Sequence, residues 1–501
     1  MKKILTIILD GFGMREEKHG NAIIDANPQN FIEAWNKHPH ALLAASEEPI
    51  GLLKGQFGNS EVGHKTIGAG RKLPQTIDRM NEFLEEGIKE NQLYLDLIKK
   101  AREKKSVIHI MGLCSDGLVH SDIKHFLKLY DHLVKDGITE IYFHIITDGR
   151  DTKTTEAYKY IKEIGTKIKS KSIGSIATIC GRYYAMDRDK KYDRTQVYYN
   201  LITKGTGLES KDIKETLTKF YEKNITDEFL PPILIDEEGT IKEKDIVIWM
   251  NYRTDRAKQI LEALTSKNYS EYPVHIYKDL DVFTFVPIDK KIKTFSFLEE
   301  YKVDNPLGIY LSQLGLTQAR IAETEKYAHV TYFFDGEYNG NIENCTKILV
   351  PSLKIKTYDL DPKMSAVEVT KKTVACMEKD IDFILVNFAN PDMVGHTGNY
   401  EAAVKAVMTV DICLGKLLEE AENNFYKVII TADHGNIDTM LDEKNNPVTT
   451  HTLEKVPFII VDNNLKLKNE GDLTNIAPTI LEYMDIAKPK EMKDTESLII
   501  K

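Results

Sequence analysis

Short apolar runs that end in polar, glycine-containing clusters recur along this chain of 501 residues. They lie at Ile4–Leu9, Val107–Met111, Ile141–Ile146, Ile173–Cys180, Ile246–Met250, Phe383–Val386 and Val428–Ile430. Runs of this length, separated by charged helical stretches, predict buried parallel strands in an α/β fold. Ligands of open parallel sheets gather at the carboxyl ends of the strands, so the polar clusters hold the candidate functional residues.

The polar clusters divide into two sets along the chain. Runs before about residue 75 and after about 300 end in Asp, Ser and His, whereas the runs between them end in Arg, Asp and His. A chain of this length is expected to form at least two domains. We therefore predict a discontinuous metal-binding domain of residues 1–75 and 300–501, interrupted by an inserted anion-binding α/β domain of residues 76–299. The polar segments Lys72–Thr76 and Lys291–Asn305 have the character of linkers.

The composition is typical of a soluble intracellular enzyme. A net charge of −10 argues against nucleic acid or an anionic membrane as a partner. The five cysteines form no Cys-x-x-Cys pair, which indicates a reducing compartment. The first apolar run stops at Asp10 and is too short for a signal peptide or a membrane span. We expect a cytoplasmic monomer that acts on a small molecule.

Ser60 lies in the sharpest motif, Gly58–His64 (GNSEVGH). A helix that begins at Ser60 would direct backbone N–H groups at a phosphoryl group carried by the serine. A serine in this place can instead act only as the N-cap of the helix. Three further glycine-rich clusters, around Asp10, Asp392 and Asp433, favour the first interpretation.

The three aspartates are accompanied by three histidines, His396, His434 and His451. Carboxylate oxygen and imidazole nitrogen together suit a divalent ion such as Mn²⁺ or Zn²⁺, and a ligand set of this size favours two ions. A serine among such ligands can act as a nucleophile without a histidine base, because a metal stabilises its deprotonated form. The combination predicts metal-assisted phosphoryl transfer through a phosphoserine.

The central region supplies basic side chains at its strand ends. They are His120, Arg150, Arg182, Arg188, Arg253 and Arg256. Guanidinium groups bind carboxylate and phosphate with two parallel hydrogen bonds, so this set predicts a pocket for a small molecule with several negative charges. Asp151 is a candidate proton carrier, with an ion pair to an arginine as the alternative. Spacing alone makes Lys326 a surface lysine.

With these motifs, the chain resembles the cofactor-independent phosphoglycerate mutases of the alkaline phosphatase superfamily. Gly58–His64 and Gly181–Arg188 (GRYYAMDR) are specific to this family, and matching motifs extend from Leu9 to Thr479. The resemblance implies an alkaline phosphatase-like domain formed by both ends of the chain and an inserted transferase domain. It also implies interconversion of 3-phosphoglycerate and 2-phosphoglycerate in glycolysis and gluconeogenesis. Two Mn²⁺ ions, or Mg²⁺ in some members, would be needed, and 2,3-bisphosphoglycerate would not.

Carried over by motif, the resemblance implies a role for each candidate residue. One metal ion would bind Asp392, His396 and His451. The other would bind Asp10, Ser60, Asp433 and His434. The substrate-binding positions would be His120, Arg150, Asp151, Arg182, Arg188, Arg253, Arg256 and Lys326.

Three of these residues would act in the chemical step. Ser60 would carry the phosphoryl group, Asp151 would move a proton between the glycerate hydroxyls, and Lys326 would stabilise the transferring phosphoryl group. Leu118 and Asp122 depart from the family's usual residues around His120.

Two other functions are considered. The first is another enzyme of the same superfamily, such as a phosphopentomutase or a phosphatase. The arginine set favours a small carboxylate-bearing phosphate ester over a sugar phosphate. The second is a non-catalytic sensor, against which the complete set of nucleophile and ligand positions argues.

Overall fold

The computed structural model describes residues 2–500, which form two compact units. Unit 1 comprises the residues up to Pro74 together with those from Lys302 onward, and unit 2 comprises Gln75–Tyr301. Each unit contains one eight-stranded sheet within residues 2–500. In the same residues no helix is long and apolar enough to cross a membrane.

Strands and helices alternate along most of residues 2–500. The strands are β1 (Lys3–Leu9), β2 (His40–Ala44), β3 (Ile108–Leu113), β4 (Ile141–Thr147), β5 (Ser175–Gly181), β6 (Leu208–Glu209), β7 (Ile233–Leu234), β8 (Ile246–Trp249), β9 (Asp281–Thr284), β10 (Phe295–Ser296), β11 (Gln318–Glu323), β12 (Cys345–Val350), β13 (Phe383–Phe388), β14 (Tyr426–Thr431), β15 (Val456–Ile460) and β16 (Glu470–Asp472). The α-helices are α1 (Ala22–Ala26), α2 (Gln29–Lys37), α3 (Ser60–Ala69), α4 (Thr76–Glu82), α5 (Gln92–Lys104), α6 (Ile123–Lys135), α7 (Ala157–Lys171), α8 (Arg182–Ala185), α9 (Tyr192–Lys204), α10 (Ile213–Tyr221), α11 (Lys258–Thr265), α12 (Leu307–Gln313), α13 (Thr324–Ala328), α14 (Ala366–Met377), α15 (Asn390–Gly395), α16 (Tyr400–Asn423) and α17 (Ile476–Tyr483).

The sheet of unit 1 has the strand order β12-β11-β13-β1-β14-β15-β2-β16. β1 pairs in parallel with both β13 and β14, and Leu9 lies opposite Phe388 while Ile8 lies opposite Thr431. The three strands therefore end at the same edge of the sheet. This register brings the polar residues that follow them into one place.

One strand of unit 1 runs against the parallel pattern. β15 is antiparallel to both β14 and β2. No helix crosses back over the sheet between β14 and β15, so the next strand starts at the edge where β14 ends. The sheet is thus mixed, with a parallel centre.

The sheet of unit 2 has the order β10-β9-β8-β3-β4-β5-β7-β6, and its strands are parallel apart from the β5–β7 pair. Successive residues of β8 alternate between two buried clusters, with Ile248 in one and Val247 and Trp249 in the other. The sheet is therefore covered on both faces, which explains why its strands read as continuous apolar runs. These two sheets confirm the predicted α/β class.

Candidate functional site

Three strand ends of unit 1 bring carboxylates together. Asp10 directly follows β1, Asp433 lies two residues after β14, and Asp392 lies in α15, just after β13. All three are buried. Gly11 turns the chain after Asp10 with a φ of +75°, and its N–H donates to Asp433 Oδ1 at 3.3 Å. The carboxylates therefore converge where the sequence pattern predicted.

Ser60 is the first residue of α3 and does not act as its N-cap. The cap is Asn59, whose Oδ1 accepts from the N–H of Val62 at 3.0 Å. The Ser60 hydroxyl is left to contact Asp10 Oδ1 at 3.2 Å and His434 Nε2 at 3.0 Å. The capping alternative is therefore wrong, and the hydroxyl lies among the candidate metal ligands.

The close approach of α3 to this edge requires a glycine. A Cβ atom on Gly63 would lie 2.7 Å from the backbone oxygen of Asp433. Any larger residue would push the helix, and with it Ser60, away from the carboxylates. This steric limit gives the second glycine of the Gly58–His64 motif a physical reason.

The first candidate metal group consists of Asp392, His396 and His451. The Nδ1 atoms of both histidines face backbone carbonyls at 2.8 Å, those of Thr449 and Gly58. Their Nε2 atoms lie 3.1 Å apart, and each lies 3.3 Å from Asp392 Oδ1. Two imidazole nitrogens and a carboxylate oxygen thus converge on one point, which is the arrangement of a metal site with oriented ligands.

The second candidate metal group consists of Asp10, Asp433 and His434, all fully buried. His434 Nε2 lies 3.5 Å from Asp10 Oδ1 and 3.6 Å from Asp433 Oδ2. Asp433 Oδ2 is buried without a hydrogen-bond partner among residues 2–500. A buried carboxylate oxygen without a donor is costly, and a cation would satisfy it. The donor set of both groups fits divalent ions.

Protons and metal ions compete for these histidines. Burial lowers the pKa of His434, but Asp433, Asp10 and Asp392 outweigh it and raise the pKa to about 9. The hydrogen bond with Asp392 raises the pKa of His396. The clustered carboxylates therefore attract positive charge, which a bound metal would supply in place of protons.

Lys326 lies inside this cluster, so its interpretation as a surface lysine is wrong. Its Nζ donates to Asp10 Oδ1 at 2.6 Å, to Ser60 Oγ at 2.7 Å and to Asp392 Oδ2 at 2.6 Å. Burial opposes the charged form, but Asp10 and Asp392 raise the pKa of Lys326 above its usual value. Spacing missed this because the sequence does not show which side of α13 is buried: in the fold, α13 directly follows β11, and Lys326 is buried.

The predicted basic side chains of unit 2 lie at the strand ends of its own sheet. Arg182 follows β5 and pairs through Nη1 with Asp148 at 2.7 Å and with Asp151. Asp255 pairs with Arg188 at 2.6 Å and with Nε of Arg253 at 3.2 Å. The ion-pair role that we considered for Asp151 is therefore present.

Arg150 and Arg256 complete the basic set. Arg150 is half-exposed, and its Nη1 lies 3.7 Å from Glu228. Arg256 donates through Nη1 to the carbonyl of Met186 at 2.9 Å. Burial lowers the pKa of Arg256, and the positive charges of Arg188 and Arg182 lower it further. An anion bound among these groups would relieve their mutual repulsion.

His120 is buried beside this basic set. Burial, with the charge of Arg182, lowers its pKa to about 4, and its Nδ1 has no hydrogen-bond partner among residues 2–500. The loop before it is held by Tyr252, whose hydroxyl donates to the carbonyl of Leu118 at 2.6 Å. Leu118 takes a φ of +57°, a conformation that favours glycine. Asp122 caps α6 by accepting from the N–H of Lys124.

Three buried residues of the site were not singled out from the sequence. Asn436 donates to Asp392 Oδ1 at 2.8 Å, Asn387 donates to Asp10 Oδ2 at 2.7 Å, and His64 Nδ1 lies 2.9 Å from the carbonyl of Ser60. All three lie in or beside the motifs that supply the ligands. Their position within those motifs was the signal that could have identified them.

Comparison with known proteins agrees with this fold. A family model described as the Metalloenzyme superfamily matches residues 2–488. A 2,3-bisphosphoglycerate-independent phosphoglycerate mutase of Microcystis aeruginosa is 44% identical, over 98% of this chain and 94% of its own length. One of Clostridium novyi is also 44% identical, over 98% of both chains. The crystal structure of Leishmania mexicana phosphoglycerate mutase at low cobalt concentration is similar with a TM-score of 0.65 and 28% identity, over 100% of this chain and 98% of that one.

The chain is thus a member of the metalloenzyme superfamily. Within that superfamily, it belongs to the family of 2,3-bisphosphoglycerate-independent phosphoglycerate mutases. The resemblance seen in the motifs is confirmed.

Proposed function

We propose that this chain interconverts 3-phosphoglycerate and 2-phosphoglycerate, as a step of glycolysis and gluconeogenesis, through a phosphoserine at Ser60. The observation that carries the proposal is the position of the Ser60 hydroxyl, which contacts Asp10, His434 and Lys326 at 3.2, 3.0 and 2.7 Å. The names of the relatives supply the substrate, and the complete ligand set argues for an active enzyme.

Two divalent ions, Mn²⁺ or alternatively Mg²⁺, complete the proposed site. Asp392, His396 and His451 would hold one ion, and Asp10, Asp433 and His434 would hold the other. Ser60, whose hydroxyl contacts Asp10 and His434, would be a further ligand of the second ion. When bound, the ions would activate the serine and offset charge on the phosphoryl oxygens. The convergence of the imidazole Nε2 atoms on Asp392 supports this assignment.

The chain's own groups assist the transfer. The N-terminus of α3 would direct backbone N–H groups toward a phosphoryl group carried by Ser60, which is the first residue of this helix. Lys326 donates to the serine oxygen and would follow the charge onto the phosphoryl group during transfer. Both groups are preorganised by burial, which strengthens their effect on a developing negative charge.

Unit 2 would hold the glycerate part of the substrate. We assign this role to His120, Arg150, Asp151, Arg182, Arg188, Arg253 and Arg256. The lowered pKa of Arg256 supports a site that favours an anion. Asp151 would move the proton between the two glycerate hydroxyls, since its ion pair with Arg182 keeps a carboxylate in place to accept one.

The proposal also covers the cellular location, the oligomeric state and the partners of the chain. We propose a cytoplasmic monomer that acts on a small molecule and needs neither nucleic acid, nor a membrane, nor 2,3-bisphosphoglycerate. The cysteines of the described residues are all free thiols, which supports a reducing compartment. Light scattering of the purified chain tests the monomer, since a dimer would double the measured mass.

Replacement of the nucleophile tests the central step. Ser60→Ala should abolish formation of 2-phosphoglycerate in an assay with Mn²⁺ and without 2,3-bisphosphoglycerate, because no phosphoserine can form. Ser46 is a matched control, since it is also buried in unit 1 and its hydroxyl contacts only the carbonyl of Leu453 at 3.3 Å. Ser46→Ala should keep most of the activity. A Ser60→Ala rate above about a hundredth of the wild-type rate would contradict the phosphoserine.

A further inference from the structure

A buried network behind the candidate ligands joins three elements of unit 1. His64 lies one turn after Ser60 in α3 and is fully buried. Its Nδ1 lies 2.9 Å from the carbonyl oxygen of Ser60 and 3.2 Å from Asp433 Oδ2. One imidazole thus contacts both the backbone of the candidate nucleophile and a candidate metal ligand. None of the roles proposed above uses it.

Asn387 connects the same imidazole to a second ligand. Its Nδ2 donates to Asp10 Oδ2 at 2.7 Å and lies 3.1 Å from His64 Nε2. The reversed amide would place its oxygen against the carboxylate of Asp10, so the nitrogen is the atom that faces both groups. His64 Nε2 therefore accepts a hydrogen bond, and His64 Nδ1 carries the hydrogen that it donates to the carbonyl oxygen of Ser60.

The hydrogen bonds of this network all point from Asn387 toward Ser60 and Asp10. Asn387 donates to Asp10 and to His64, and His64 in turn donates toward Ser60. All of these side chains are buried, so water does not compete for the hydrogen bonds. The network holds Asp10 Oδ2, the carboxylate oxygen that does not contact Ser60, in a fixed position relative to the first turn of α3. Without these hydrogen bonds, the carboxylate of Asp10 would be free to rotate, and the first turn of α3 would lose a contact.

We propose that His64 and Asn387 are positioning residues that set the geometry of Ser60, Asp10 and Asp433 for metal binding and phosphoryl transfer. This inference rests on the proposed metal sites and, for its catalytic part, on the proposed phosphoryl transfer. Partners of this kind behind metal ligands change metal affinity by about 10- to 100-fold when they are removed. Both residues belong to unit 1, whereas the proposed glycerate-binding residues belong to unit 2, so the KM for 3-phosphoglycerate should be spared.

The test compares variants of similar size that keep or lose the donor. His64→Leu removes both ring nitrogens, whereas His64→Asn retains a donor close to the position of Nδ1. We expect His64→Leu to weaken Mn²⁺ binding, measured by calorimetry on the metal-depleted protein, by about 10- to 100-fold. The kcat should fall at least tenfold, with the KM for 3-phosphoglycerate within about twofold of wild type. His64→Asn should recover most of both losses.

Asn387→Leu provides an independent arm of the test, and it decides the matter if His64→Leu fails to fold. It should weaken Mn²⁺ binding in the same way, and the double variant should lose little more than the worse single variant, because the two residues act through one network. Unchanged Mn²⁺ affinity and kcat in Asn387→Leu would overturn the proposal. Equal losses in His64→Leu and His64→Asn would also overturn it.

A control separates positioning from the general cost of losing a buried imidazole. His144 in unit 2 is fully buried and hydrogen-bonded to His109 at 2.9 Å and to Thr178 at 2.9 Å. His144→Leu should lower the melting temperature without changing Mn²⁺ affinity, and equal weakening there would overturn the positioning role. The metal measurement also stands apart from the activity. A wild-type chain without mutase activity would contradict the proposed function, while Mn²⁺ affinities ordered as above would still support positioning.

Discussion

Lys326 supplies positive charge to the buried carboxylates of unit 1 when no metal ion is bound. Its ammonium group is buried between Asp10 and Asp392 at 2.6 Å from each. Removing one partner of a buried ion pair costs about 3–5 kcal/mol, because charge is left uncompensated. We expect Lys326→Met to lower the free energy of unfolding of the metal-free protein by about that amount. Added Mn²⁺ should restore much of the loss, since bound ions would supply the missing charge. Urea unfolding with and without Mn²⁺ measures both values.

An exposed lysine provides the control for this prediction. Lys455 pairs with Glu470 at 2.8 Å on the surface, and such pairs contribute about 0–1 kcal/mol. Lys455→Met should therefore change stability little in either condition. A Lys326→Met variant as stable as wild type without metal would contradict the buried network of charges.

For single residues, the sequence predicted which side chains lie at the candidate site better than it predicted their burial and their hydrogen-bond partners. Asp10, Asp392 and Asp433 follow strands whose ends coincide, so one rule about parallel sheets placed them together. Lys326 lies in α13, whose helical spacing says nothing about which face is buried. His64 and Asn387 could have been identified from their position in or beside the motifs, but their roles could not, because those depend on which atom of each side chain faces which neighbour.

Among the helices and strands, α3 carries the candidate nucleophile, Ser60, at its first position. Its cap is Asn59, and the same bond occurs at α5, where Asn91 Oδ1 accepts from the N–H of Tyr94 at 3.0 Å. Loss of a cap costs about 1 kcal/mol. Asn59→Ala and Asn91→Ala should therefore reduce stability to a similar extent. Only Asn59→Ala should also reduce kcat, because it frays the turn that holds Ser60. Chemical denaturation and steady-state rates of both variants check this, and equal kcat values would contradict it.

The apolar runs predicted the central strands and their parallel direction, but not the antiparallel direction of β15. Each run became a strand within a few residues of its expected bounds, as in β1 and β14. The direction of β15 could not be read from its sequence, because an apolar run of five residues looks the same in either orientation. In the fold, residues 432–455 connect β14 and β15 without a helix, and they carry His434 and His451.

For the whole molecule, we expect unit 1 to form the phosphoserine and unit 2 to hold glycerate, and analysis of the products can test this. If unit 2 holds glycerate, Arg253→Ala should release it before the phosphoryl group returns, and water would then hydrolyse the phosphoserine at Ser60. The ratio of inorganic phosphate to 2-phosphoglycerate should rise. Asp433→Asn should depress both products together, because it damages formation of the phosphoserine itself. Arg102, an exposed arginine that donates to the carbonyl of Asp136, is the control, and Arg102→Ala should keep the wild-type ratio. Equal ratios in the Arg253 and Asp433 variants would mean that unit 2 does not hold glycerate between the two half-reactions.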